Sequence, residues 1–171
     1  VNDGLSYRST SSGKSDIQSQ STEEYSGLSN FVNPETVITP SSNLEDWFHV
    51  NKSTSAGPWG DIRNCNDVIE GISGSTLTDV QKEELLGQVY FFRAWQYYLL
   101  VKTYGGVPIV DKVQATDVSE AQGLIVPRSS TKDCIEFICK DLDTAANMLP
   151  TRWDGDNFGR ITKGAALALI G

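Results

Sequence analysis

Apolar side chains are spread unevenly along this chain, and the densest stretch, residues 83–108, organises the rest. Between Val89 and Val101 only Arg93 and Gln96 are strongly polar, so apolar positions occupy nearly the whole circumference of a helix, the pattern of a rod covered on several sides. Thr78 and Gln81 have the spacing of a capping box. Lys102 falls in the last turn, Gly105 and Gly106 supply the permissive backbone of a helix stop, and Pro108 bars continuation. The pattern therefore predicts a helix over 79–104, about 38 Å long at 1.5 Å per residue.

Two features of this helix call for partners. Gly87 and Ala94 lie on one side and form a notch for a second backbone, and close packing there offsets the ~1 kcal/mol that a mid-helix glycine costs. Arg93 and Gln96 share another side. A guanidinium in such surroundings needs a carboxylate or carbonyl, and Asp67, Glu70, Asp141 and Asp143 on the flanking helices are the candidates. A structural ion pair or helix-end cap is the expected role of Arg93, ahead of a ligand contact.

The flanking patterns are shorter. Pro58 suits a first helical turn, Trp59, Ile62, Cys65 or Asn66, and Ile69 make an inner stripe, and Gly71 and Gly74 close that helix. Its short link to Thr78 predicts an antiparallel neighbour. Further on, Ser129 or Ser130 caps another helix with Asp133 in its first turn. Ile135, Ile138, Leu142, Ala145 and Leu149 give it one apolar face before Pro150 ends it. A last helix begins near Lys163. The fold class predicted is all-α: stacked antiparallel helical hairpins joined by long irregular loops, in which each pair needs its neighbours to cover its apolar face.

Residues 1–57 keep no period of 3.6 or 2 and are predicted as an irregular, polar segment lying against the body, because scattered aromatics such as Tyr7, Tyr25 and Phe31 exceed what a disordered tail carries. Residues 44–58, LEDWFHVNKSTSAGP, are the most site-like loop. Trp47 offers an indole face beside Asp46, His49 and Asn51, a combination that stacks on the C–H face of a sugar while polar groups take its hydroxyls. The alternative is that Trp47 and Phe48 pin the loop to the core. A second candidate is the turn-rich stretch 151–160, with Trp153 beside Asp154, Asp156 and Asn157. Here too, packing beneath a helix turn is the alternative. EF-hand spacing and its terminal glutamate are absent, so no metal site is expected.

Composition narrows the classes. At 171 residues the chain can bury about 70% of its unfolded surface. A formal net charge of −8 with scattered basic residues disfavours nucleic acid and anionic membrane surfaces. The longest uncharged apolar stretch, 94–101, is far short of the ~20 residues needed to span a bilayer. Cys65, Cys134 and Cys139 are odd in number, and the last two diverge by about 140° across five helical positions. Buried, inert thiols are expected, with a Cys65 disulfide left open. His49, the single histidine, has no nucleophile motif beside it, and no phosphate loop, zinc cluster or G-x-S-x-G occurs. Neither an enzyme nor a cofactor is expected.

The run Gly87, Phe91, Phe92, Arg93, Ala94, Tyr97, Leu100, Val101 and 104–108 (YGGVP) resembles the signature of the SusD/RagB family of outer-membrane nutrient-binding lipoproteins. Trp59 with 62–66 (IRNCN) before it and 159–166 (GRITKGAA) after it match in the same order. One position departs: Gln88 stands where the family commonly has an acid. The resemblance implies tetratricopeptide-like hairpins and a surface-exposed, lipid-anchored protein. Such a protein captures oligosaccharide or peptide and acts as the lid of a SusC-type TonB-dependent transporter in the outer membrane. It implies membrane contact only through a lipidated cysteine upstream of Val1, and the charge has already disfavoured a nucleic-acid partner. Because family members are several times longer, residues 58–171 are expected to be part of a longer domain. A helical-repeat scaffold that binds a peptide or protein in a groove is the other reading.

Overall fold

A computed structural model describes residues 58–114 and 125–171 of the chain. Four α-helices account for most of them: α1, Pro58–Gly71; α2, Asp79–Tyr104; α3, Thr131–Met148; and α4, Lys163–Ile170. Short 3₁₀ turns follow α1 at Ile72–Gly74 and precede α4 at Gly155–Asn157. No strand occurs among the described residues.

The helix ends follow from local chemistry. The Thr78 hydroxyl accepts from Gln81 N and the Gln81 side chain accepts from Thr78 N, a complete capping box. Ser130 and Asp133 build the same reciprocal pair at α3. Thr162 caps α4 by accepting from Ala165 N. Gly105 ends α2 with φ 72°, a left-handed value at which a side chain would be strained. Gly106 is fixed by space: a Cβ there would lie 2.0 Å from Ser129 O.

α2 is the spine, packed against α1 on one side and α3 on another, with α4 against α3. Contacts between Asp61 and Gln96 and between Asn66 and Arg93 show that α1 and α2 run antiparallel. Tyr97 with Phe137, Arg93 with Asp141 and Gly87 with Leu149 show the same for α2 and α3. Ala94, Tyr97 and Leu100 are buried at the centre with Ile62, Leu142 and Ala145. The notch expected at Gly87 is real: a Cβ added there would meet Leu149 Cγ at 2.9 Å. That is the close approach for which the helix forgoes a better helix former.

The spine is covered on several sides, as its pattern predicts, by α1 and α3, and Val80, Leu85, Tyr98 and Tyr104 are exposed elsewhere on its girth. One expectation is corrected. Ile135, read as the first position of the α3 inner stripe, is exposed. The buried stripe instead starts at Cys134 and runs through Ile138, Asp141, Leu142, Ala145 and Leu149. A small thiol takes the inner position because it meets Val107 backbone, with Val107 N donating to Cys134 Sγ.

Candidate functional site

Arg93 enters from the middle of the spine and is 5% exposed, so its charge must be met inside the protein. Asp141 on α3 meets it with two bonds: Nε donates to Oδ2 at 2.7 Å and Nη2 to Oδ1 at 2.8 Å. Nη1 donates to Asn66 Oδ1 on α1 at 2.8 Å and to the Asp111 carbonyl at 3.3 Å. The guanidinium also lies 5.2 Å from the Tyr90 ring centroid and 5.1 Å from that of Phe137. Burial alone works against the Arg93 charge, but the hydrogen bonds and field of Asp141 more than offset it and raise the pKa above its usual value. This is the structural ion pair expected from sequence, with Asp141 as the chosen carboxylate.

The cluster holds the chain that follows the spine. Asn66 Nδ2 donates to the Val110 and Lys112 carbonyls at 3.0 and 3.2 Å. Tyr97 OH accepts from Val110 N at 2.7 Å, and Glu70 Oε1 accepts from Val113 N at 2.8 Å. Arg63 donates to Gln114 O, and Arg128 donates to the Gly106 and Tyr104 carbonyls. Residues 105–114 therefore form a strap whose backbone is paired mainly with helix side chains, the role a neighbouring strand plays in a sheet. Burial pushes the Tyr97 hydroxyl up to about 12. It does the same to the Cys65 thiol, also about 12, against the opposing pull of Arg93. Every polar group named in this cluster is spent on the protein itself.

The stretch 151–162 is organised differently. Trp153 is buried, its Nε1 donates to Ile161 O at 2.6 Å, and the Arg160 guanidinium lies 5.8 Å from its ring centroid. It is therefore a packing anchor, with one face under Arg160 and its N–H already used, not an open stacking platform. Lys163 N donates to Pro150 O and closes the base of the turn. Within it Asn157 N donates to Asp154 O, Phe158 N to Gly155 O and Arg160 N to Asn157 O. Gly155 at φ 58° and Gly159 at φ 92° allow the tight reversals. Asn157 is half-buried, and Phe158, five residues after Trp153, is 81% exposed.

Of the residues singled out from sequence, Asp46, Trp47 and His49 lie outside the described residues, whereas Trp153 and Asn157 share one turn. Phe158 is what sequence reasoning passed over. The pair of glycines flanking an aromatic in a polar turn was the available signal. Among the described residues no group of three or more His, Cys, Asp or Glu could hold a metal. No described helix is long and apolar enough to cross a membrane.

Fold and site together define a class, an all-α framework of packed antiparallel helices braced by a buried Arg93 cluster, with an aromatic turn at its surface. The comparisons make this specific. A SusD-like family model, described as starch-binding and associating with the outer membrane, matches residues 7–171. A SusD-like protein of Formosa agariphila, P38, is 30% identical over 141 residues, covering 78% of this chain and 26% of its own length. Two Bacteroides fragilis structures are also similar. One, a SusD-like protein, is 41% identical with a TM-score of 0.58, covering 69% of this chain and 24% of the other. The second, a SusD-like carbohydrate binding protein, is 28% identical with a TM-score of 0.58, covering 66% and 21%. The chain belongs to the SusD-like family, and it spans about a quarter of the length of these relatives.

Proposed function

We propose that this protein is a glycan-binding lipoprotein exposed on the outer membrane, where it captures oligosaccharide as the lid of a SusC-type TonB-dependent transporter. The observation that carries the reading is the family match over residues 7–171, with its description of starch binding and outer-membrane association. Physical features agree with it. The helical framework is rigidly cross-braced, which leaves recognition to loops held on it. A chain of net charge −8 suits uncharged saccharides better than phosphate-rich polymers. On this reading Trp47 stacks on a sugar ring, Asp46, His49 and Asn157 hydrogen-bond to hydroxyls, and Trp153 holds its turn in place from beneath. The protein binds and hands on its ligand, and the partner complex supplies the energy of transport.

Affinity electrophoresis of the full-length protein in gels containing soluble polysaccharides, starch among them, tests this reading. Retardation by at least one is expected, and Trp47→Ala should weaken it by about 1–3 kcal/mol. Uniform mobility across the panel, with binding to peptides in its place, would show the scaffold reading to be the better one.

A further inference from the structure

We propose that the turn from Asp154 to Arg160 is a saccharide subsite, with Phe158 as its ring platform and Asp156, Asn157 and Arg160 as its hydrogen-bonding rim. The inference rests on the reading of this protein as a glycan binder and adds a place and a set of side chains to it.

Phe158 is the most exposed large apolar side chain among the described residues, at 81%. The turn that presents it is locked: three backbone hydrogen bonds run within residues 154–160, and two glycines with positive φ bracket the ring. In the same stretch Trp153 is fixed by its bond to Ile161 O, and the Arg160 guanidinium lies over its ring. A platform that is already rigid loses little freedom when a ligand lands on it.

The surroundings of the ring select the ligand. A protein-docking hot spot has a desolvated apolar core around its anchor. Phe158 is the exposed aromatic of a stretch that is otherwise polar or glycine from Asp154 to Arg160, and the other large aromatic of the turn, Trp153, is buried. Asp154 is engaged with Arg152 at 3.3 Å, while Asp156 and Arg160 are exposed and Asn157 half-buried. An exposed ring on a turn that also carries an exposed carboxylate, a half-buried amide and an exposed guanidinium supplies the group types a pyranose calls for, since the sugar offers one C–H face and a rim of hydroxyls that both donate and accept.

The test compares Phe158→Ala, Phe158→Tyr and Phe158→Leu with the parent full-length protein in affinity gels of starch and laminarin and of any other polysaccharide that retards the parent. Urea midpoints confirm that each variant is folded, as expected for so exposed a position. The alanine variant should lose about tenfold in affinity, the tyrosine variant should keep parental affinity, and the leucine variant should behave like alanine because it keeps apolar area without a ring. Parental retardation of Phe158→Ala overturns the subsite while the glycan-binding reading stands. Full retention by Phe158→Leu overturns it in favour of apolar docking. A parent unretarded by every polysaccharide overturns both.

Discussion

The Arg93 cluster and the turn at 154–160 use the same residue types to opposite ends. In the cluster, a guanidinium, a carboxylate, an amide and aromatic rings are gathered between three helices, and each named polar atom is satisfied by another part of the chain. In the turn, a guanidinium, a carboxylate, an amide and an aromatic ring stand at the surface on a backbone that holds itself. The difference teaches that chemical richness in a sequence does not mark a site. What matters is whether the fold has already consumed the donors and acceptors.

Breaking the buried half should cost most. Asp141→Ala leaves Arg93 buried and charged without its counter-charge, and a loss of about 3–5 kcal/mol in urea unfolding is expected. Replacing both partners at once, as Arg93→Met with Asp141→Leu, should be milder than either deletion if burial without pairing is the cause. Trp153→Ala should fall in the same range, about 3–5 kcal/mol, because it empties a packed site. Phe158→Ala should change stability by less than about 0.5 kcal/mol. Equal losses for these two aromatics would erase the contrast between anchor and platform.

An effect between these two is expected at the strap. Gly106→Ala sets a Cβ 2.0 Å from Ser129 O and must displace backbone, for a cost of about 3 kcal/mol or somewhat less in the same measurement. The last is a pH dependence. Cys65 and Tyr97 both sit at about 12, above their ordinary values, so the folded state keeps protons that the unfolded state releases. Their contribution is fully present below about pH 9 and is lost as pH rises towards 12. Urea midpoints should hold steady from pH 7 to 8.5 and then decline, and Cys65→Ser should flatten the first part of that decline.

Much of the fold is written locally and was legible. The bounds of α2 follow from Thr78, Gln81 and Gly105, all within a few residues of the ends they set, and Pro58 and Pro150 bracket the neighbours in the same way. That Arg93 needed a carboxylate or carbonyl partner was also readable, because a guanidinium among so many apolar positions must have its charge met within the protein. Which carboxylate was not, since Asp67 and Glu70 on α1 competed with Asp141 and Asp143 on α3, and the choice between the two helices is made by tertiary packing. Ile135 was misplaced for a related reason. Its spacing fits a stripe, but the interior selected Cys134 through a contact with Val107, which is 27 residues away. The strap shows the same limit, because its fastenings come from residues such as Asn66 and Glu70, more than 40 positions earlier. Within 151–160 the sequence placed the turn but not the orientation of its aromatics, and burying one ring exposed the other.

Amide hydrogen exchange of the full-length protein, with and without a saturating oligosaccharide from the polysaccharide that retards it, tests the contrast most directly. Val110 and Val113 N–H, bonded to Tyr97 and Glu70, should exchange slowly and at the same rate in both conditions, while Asn157, Phe158 and Arg160 N–H should slow only when saccharide is present. Strap amides that respond to saccharide while the turn stays unchanged would contradict the assignment of the first region to structure and of the second to binding.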